Sequence, residues 1–476
     1  MISMNELENL FFQYTGHKPN QITEFAASGS KRKYFRLENE HETLIGVKGT
    51  SVEENKAFIT IAQHFVNKSL PVPQVLAQSN DGQYYLQEDL GNTTLFDFIA
   101  QGRKTGVFSV EEKKMLRKTL QLLPSFQVKG AEGFDFSVCY PHPDFNERTI
   151  LWDLNYFKYC FLKATGLDFQ ENKLEDDFQH FTKILMSVPA NTFMYRDFQT
   201  RNVMIKEEQP YFIDFQGGRR GPLYYDVASF LWQAKANFSD ELRMELLGDY
   251  INALKKLQLV DQEEFHHNLK HFVLFRILQV LGAYGFRGYF EKKPHFLQSI
   301  PYALANLKVI LKSDLKGYPY LIDVLQRMCD LKDFRDLLVQ KPLVVKVISF
   351  SYKKGIPNDE SGNGGGFVFD CRAVNNPGKY ERYAQLTGLD QPVIDFLEQD
   401  GEILALLEQA YAMVDASVKR YKERKFTHLM VCFGCTGGRH RSVYAAQKMA
   451  ERIRQLFDVE VQLVHREQNI ETVFSV

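Results

Sequence analysis

The stretch from Tyr195 to Gln216, Y-R-D-F-Q-T-R-N-V-M-I-K-E-E-Q-P-Y-F-I-D-F-Q, decides how this chain is read. Asp197 and Asn202 stand five positions apart, a polar turn runs from Glu207 to Pro210, and the apolar Tyr211-Phe212-Ile213 delivers Asp214. Phosphoryl transfer needs that order of aspartate, asparagine, turn, strand and aspartate. One carboxylate orients a hydroxyl and takes its proton, and two further oxygen donors hold magnesium against a triphosphate. Asp197 is the expected catalytic base, and Asn202 and Asp214 are the expected metal ligands.

Upstream, Ala27 to Leu37 reads as a small, polar and basic turn followed by a strand. Glycine there lets backbone N–H groups approach phosphates, so Ser28, Gly29 and Ser30 are candidate nucleotide contacts; an exposed hairpin is the other reading. Lys48 ends the apolar run L-I-G-V-K, where its ammonium reaches nucleotide phosphates or is simply a solvated strand end. Residues 53 to 66 place Ala57, Phe58, Ile61, Ala62 and Phe65 on one helical face. Glu54 in its first turn is the expected partner of Lys48, although helix starts also attract acids for dipole reasons. Tyr84 to Gly91, Y-Y-L-Q-E-D-L-G, reads as a strand entering a hinge, with Glu88 beside the nucleotide. Up to Gly91 the chain is strand-rich, and from Leu95 to Ile310 helical periodicity dominates, which sets a lobe boundary.

Glu147 to Phe161, E-R-T-I-L-W-D-L-N-Y-F-K-Y-C-F, is dense in aromatics around Asp153 and reads as a sugar-pocket wall or as core. Asp226 opens a helix after G-G-R-R-G-P, either capping it or bracing the catalytic loop by accepting its N–H groups. Eleven residues separate Asp214 from Asp226, with no A-P-E sequence. A segment for docking a protein substrate has little room there, and a small acceptor is favoured.

These motifs resemble the aminoglycoside phosphotransferase/choline kinase superfamily over residues 5 to 335. Y-R-D-F-Q-T-R-N is similar to its catalytic loop and I-D-F-Q to its metal motif. E-D-L-G, the R-D-x-x-x-R-N form and G-P-L-Y-Y-D look most like the kinases that act on the anomeric hydroxyl of N-acetylmuramate and N-acetylglucosamine. The resemblance implies ATP and magnesium as cofactors, an amino-sugar acceptor and a place in cell-wall recycling. Tyr195 replaces the family's usual histidine and keeps an aromatic packing role.

A second module follows Gln340-Lys341-Pro342. Strand His428 to Phe433 runs into G-C-T-G-G-R-H-R-S-V, Gly434 to Val443, which opens a helix. Strand, glycine turn and helix N-terminus make an anion site, with Cys435, Thr436, Gly437, Gly438, Arg439, His440, Arg441 and Ser442 as candidates. Cys435 and Arg441 also have the C-x5-R spacing of cysteine phosphatases, a minor reading in which a thiolate attacks a phosphoester. S-F-S-Y-K-K-G-I-P, F-V-F-D-C-R-A-V-N-N-P, L-T-G-L-D-Q-P-V, G-C-T-G-G-R-H-R-S-V and V-H-R-E resemble the C-terminal domain of the RNase adapter RapZ over residues 345 to 468. The resemblance implies a site for an amino-sugar phosphate and contact with RNA. Lys354 replaces a histidine and retains a cation for the site. Residues 343 to 476 carry 17 Lys/Arg and 17 Asp/Glu, so charge does not favour RNA, and sensing of a phosphorylated sugar or other anion is expected.

The 476 residues are 44% hydrophobic and 25% charged with net charge −1, the balance of a soluble globular chain without a global pull toward nucleic acid or an anionic membrane. The start M-I-S-M-N-E-L lacks a signal-peptide pattern and no long apolar run spans a bilayer, so a cytoplasmic location and no membrane partner are expected. The six cysteines contain one C-x-x-C spacing, Cys432-Phe433-Gly434-Cys435, and no second such pair, so neither a zinc site nor a disulfide framework is expected. The expected fold is an α+β kinase-like pair of lobes, strand-rich over 1–91 and helical over 92–337, then a linker over 338–342 and a separate α/β domain over 343–476. The expected function is an ATP-dependent sugar kinase with a ligand-sensing domain; the alternative is an RNA- or regulator-binding adapter whose kinase-like half is a sensor.

Overall fold

In the computed structural model, which describes residues 2–25, 32–49, 51–331, 343–359, 366–424 and 426–474, the chain divides into two units, Met1–Leu338 and Val339–Val476. Ser28, Gly29, Ser30 and the 338–342 linker lie outside the described residues.

The first unit opens with helix Ile2–Thr15 and an antiparallel sheet of β1 (Gln21–Phe25), β2 (Lys33–Glu38), β3 (Thr43–Lys48), β4 (Val75–Gln78) and β5 (Tyr84–Glu88), in spatial order β1-β2-β3-β5-β4. Strand side chains alternate between faces. Leu37, Leu44, Tyr84 and Leu86 pack with Leu7, Leu10 and Phe11 of the first helix. Ile45, Val47 and Tyr85 turn the other way, into the large core that also takes up helix Val52–Asn67. That helix starts at Ser51, whose Oγ accepts the Glu54 N–H at 3.2 Å, and its buried face holds Ala57, Phe58, Ile61, Ala62 and Phe65, as the sequence spacing expects.

The helical lobe contains helices Val110–Val128, Glu147–Phe157, Glu171–Met186, Tyr224–Leu231, Asp240–Leu254, Gln262–Gly285, Ile300–Ile310 and Pro319–Cys329. Two small antiparallel pairs are inserted among them: β6 (Thr192–Met194) with β9 (Arg219–Gly221), and β7 (Val203–Lys206) with β8 (Gln209–Phe212). They frame the stretch from Tyr195 to Gln216. Helices Glu147–Phe157 and Gln262–Gly285 each continue into a π-helical turn, Lys158–Leu162 and Phe286–Phe290. The two helices meet backbone to backbone. A Cβ on Gly282 would lie 2.9 Å from the Phe157 nitrogen, and one on Gly285 would strike the Cys160 carbonyl.

The second unit is a mixed sheet built from β10 (Val344–Ser351), β11 (Gly366–Asp370), β12 (His428–Cys435), β13 (Glu460–His465) and β14 (Ile470–Phe474), in order β11-β12-β10-β13-β14. Its pairings are parallel except for the antiparallel edge strand β14. Helices Gln391–Asp400, Glu402–Glu423 and Arg441–Leu456 complete it. The first two divide at Gly401, φ 77°, because glycine takes this left-handed turn without strain. Its own core includes Val345, Val347, Val431, Phe433, Met449 and Ile453. Among the described residues no helix is long and apolar enough to cross a membrane.

Candidate functional site

After β6 the chain turns through Arg196, whose φ of 77° is uncommon for a residue with a side chain. The turn is held by Asp226 of helix Tyr224–Leu231. Its Oδ2 accepts the Tyr195 N–H at 2.9 Å and its Oδ1 accepts the Arg196 N–H at 2.8 Å, while Gln127 donates to Oδ2 at 3.2 Å. Burial pushes the Asp226 carboxyl up, the two N–H bonds pull against it, and its pKa comes to about 7. Tyr195 is buried among Phe198, Phe212 and Phe215, and its hydroxyl donates to the Ile213 carbonyl, tying the loop to the strand before Asp214. Asn202 Nδ2 donates to the Asp197 carbonyl at 2.8 Å, closing the loop on itself. The Asp197 side chain is left 50% exposed, free to meet an acceptor.

Asp214 also takes a left-handed conformation, φ 67°. Burial, and then the charge of Asp197, raise its pKa against the Gln216 amide, which donates to Oδ1 at 2.6 Å. A buried carboxylate whose ionisation a neighbouring carboxylate opposes makes a place where a divalent cation is stabilising. With its amide nitrogen committed to the Asp197 carbonyl, Asn202 has its amide oxygen left to offer. Asp214 and Asn202 thus present the hard oxygen donors that magnesium takes when nucleotide phosphates complete its shell. Phe215, next to Asp214, stacks on Phe58 of helix Val52–Asn67 with ring centroids 4.8 Å apart, which couples this strand to the helix carrying Glu54.

The expected Lys48–Glu54 pair does not form. Lys48 follows the Leu44/Gly46 parity of β3, onto the face covered by helix Ile2–Thr15, and its Nζ lies over the Tyr84 ring at 5.5 Å. The cation that meets Glu54 is Arg32, at 3.3 Å. Arg32 is buried, lies over the Phe58 ring at 5.7 Å, and is close enough to Asp214 for its charge to oppose the rise in that residue's pKa. Strand parity was the available signal, since Ile45 and Val47 face the core helix and Lys48 therefore cannot. Glu88, at the end of β5, is paired with Lys206 of β7, and Asp89 is gripped by Arg36 through bonds of 2.7 and 3.1 Å. The hinge is therefore pinned to both lobes.

Glu147 to Phe161 divides between core and surface. Ile150, Leu154, Phe157 and Phe161 are core, whereas Trp152 is 62% exposed and Asp153 approaches the catalytic loop through Arg196 at 3.7 Å. Burial raises the Asp153 pKa against the charges of Arg196, Arg276 and Arg219. Arg219 is itself buried, which, with Arg196 nearby, lowers its pKa to about 10. A pocket lined by Gln199, Ser229, Trp232, Gln233, Arg276 and Tyr284 adjoins the loop. Arg276, on helix Gln262–Gly285, reaches within 3.8 Å of Asp197 Oδ1. Nothing local in the sequence marks it, because it lies 79 positions beyond the base it faces.

In the second unit β12 delivers Cys435, and Thr436 and Gly437 are exposed before helix Arg441–Leu456. Gly438 has φ 64°, and a Cβ there would lie 2.8 Å from the Ser351 nitrogen. Burial pushes the Cys435 thiol up, but the Ser442 hydroxyl at 3.1 Å, the N–H groups of Ser442 and Gly438 and the Arg441 charge outweigh it and lower its pKa. The three side chains expected to add charge to the loop are engaged by carbonyls: Arg439 by Ala384 at 2.8 Å, His440 Nε2 by Tyr383 at 3.0 Å, and Arg441 by Arg372 and Val374 at 3.0 and 2.6 Å. Lys354 pairs with Glu467 at 2.6 Å. An anion there would meet backbone N–H groups first. Both of the Arg441 bonds use Nη1, and its buried Nε has no hydrogen-bond partner among the described residues.

A family model for the phosphotransferase enzyme family matches residues 21–260, and one for the RapZ C-terminal domain matches residues 343–469. A nucleotide-binding protein of Xylella fastidiosa (strain M12) is 40% identical over 119 residues, which cover 25% of this chain and 39% of that protein. A nucleotide-binding protein of Pseudothermotoga lettingae is 29% identical over 238 residues, 48% of this chain and 79% of that protein. The chain thus spans about two fifths of the first of these relatives. Among solved structures, a choline kinase of Streptococcus pneumoniae aligns with TM-score 0.46 and 11% identity, over 66% of this chain and all of that one (100%).

Proposed function

The chain belongs to the phosphotransferase enzyme family, and on that premise we propose that it is an ATP-dependent kinase of a small molecule whose second, RapZ-like domain binds a phosphorylated sugar or other anion as a sensor. The observation that carries the reading is the convergence of three groups. Asp197 is half exposed on a loop braced by Asp226, Asp214 and Asn202 offer metal donors, and the Arg32–Glu54 pair lies beside Asp214.

Asp197 accepts the proton of an acceptor hydroxyl as its oxygen bonds to the γ-phosphorus. The bond from that phosphorus to the β-phosphate oxygen breaks, and ADP leaves with the electron pair. Arg32, held by Glu54, steadies the nucleotide phosphates in the role first expected of Lys48. Asp214 and Asn202 would hold magnesium, which would supply charge neutralisation for the nucleotide phosphates. The acceptor we favour is an N-acetylated amino sugar, N-acetylmuramate or N-acetylglucosamine, phosphorylated at the anomeric hydroxyl. The exposed Trp152 beside Asp153 supports a sugar, because aromatic faces with a nearby carboxylate suit a polyol ring.

Purified protein with ATP, magnesium and a panel of amino sugars is assayed for ADP release. Turnover on an N-acetylated amino sugar, lost in Asp197→Asn, is the expected result. Absence of turnover on every sugar, with Asp197→Asn indistinguishable from wild type, refutes the proposal.

A further inference from the structure

Arg276 is only 6% exposed, and a buried guanidinium is costly unless its donors are satisfied. Nε donates to the Ser229 hydroxyl at 3.0 Å, Nη1 bonds the Gln279 carbonyl oxygen, and the group lies 5.8 Å from the centre of the Tyr225 ring. All of these partners are neutral. Among the described residues the charged partner of Nη2 is Asp197 Oδ1, at 3.8 Å. That separation is too long for a hydrogen bond, so among the described residues Nη2 keeps a donor for an oxygen lying next to the one Asp197 holds. Of the catalytic loop's two arginines, Arg201 is stacked over Phe96 at 5.0 Å and Arg196 faces Asp153 at 3.7 Å. The cation at the base therefore comes from a different element, helix Gln262–Gly285.

We infer that Arg276 is a catalytic residue, its Nη2 donating to an oxygen of the phosphoryl group as that group passes to the acceptor held by Asp197. The inference rests on the phosphotransfer reading. In that step Asp197 takes the acceptor proton, the new oxygen–phosphorus bond forms, the bond to the β-phosphate oxygen breaks, and charge rises on the phosphoryl oxygens next to Arg276. A preorganised donor with its other two nitrogens already tied down meets that charge without reorganising. The tethers explain why the guanidinium does not simply close on Asp197 and block the base. Ser229 and Gln279 hold it 3.8 Å away.

The test uses the full chain and an acceptor that the wild type turns over. Arg276→Ala is expected to lose kcat by about 100-fold or more, the usual cost of removing one transition-state donor, with KM for ATP within about threefold of wild type. Affinity for ADP with aluminium fluoride, a mimic of the transferring group, falls by a similar factor, while affinity for AMP-PNP is unchanged. Arg276→Lys recovers part of kcat, and free guanidinium ion rescues Arg276→Ala, neither of which a purely structural role provides. Unchanged kcat overturns the inference. So does a raised acceptor KM at constant kcat, or equal loss of both nucleotide complexes. If the wild type itself turns over no acceptor, the phosphotransfer reading fails and this inference falls with it.

Discussion

Arg32 and Lys48 reach opposite faces of one sheet, so two substitutions separate their roles. Arg32→Ala leaves Glu54 without its partner beside Asp214, and kcat/KM for ATP is expected to fall by about 100-fold. Lys48→Ala removes a group lying over Tyr84 and is expected to stay within about threefold. Steady-state kinetics on both variants checks the pair. Asp226 gives a titration. Its folded pKa of about 7 lies above the ordinary carboxylate value of 3.8, so the native state holds the proton longer than the unfolded chain does. Stability from this group is present below about pH 4 and is lost as pH rises toward 7, by up to about 1.4 kcal/mol per pH unit. Denaturant unfolding between pH 4 and 7 should show that slope flattened in Asp226→Asn. The Asp226 brace was legible because it lies within 31 residues of the loop it holds. The Lys48–Glu54 pair was misjudged by reading Lys48 by position along its strand rather than by face.

Three glycines, Gly282, Gly285 and Gly438, shape the elements that carry the sites. Gly285 and Gly282 let helix Gln262–Gly285 touch the backbone of the Glu147 helix and its π-helical turn. Gly285→Ala is expected to cost about 2 kcal/mol or more, since its Cβ meets a carbonyl and not a flexible side chain. It should also lower activity by shifting Arg276 on the same helix. Thermal unfolding and kinetics of this variant read both effects. Gly438→Ala combines a left-handed φ with a Cβ clash against the Ser351 nitrogen, and about 1–3 kcal/mol of destabilisation is expected in the second unit. The glycine loop and following helix were readable from the strand, turn and apolar spacing. The engagement of Arg439, His440 and Arg441 by carbonyls was not, because those carbonyls come from residues 372 to 384, brought to the loop only by folding.

Over the whole molecule, each unit closes its own core, so calorimetry is expected to resolve two transitions. His465, buried against Ser349 in the second unit, has its pKa pushed down by burial to about 4. The unfolded chain binds that proton first, so the second unit loses stability as pH falls from about 6.5 toward 4, and His465→Gln should remove the loss from one transition alone. The order of lobes and the separate second module followed from composition shifts along the chain; Arg276 and Gln127 did not, since each meets its partner about 80 to 100 positions away. The glycine contact between the two π-turned helices has a mechanical consequence. A joint made of main chain has no interlocking side chains to ratchet past one another, so these helices act as a fixed pivot and not as a sliding bearing. Arg276, nine residues before Gly285 on one of these helices, is therefore expected to hold its 3.8 Å separation from Asp197 only as long as that joint is intact.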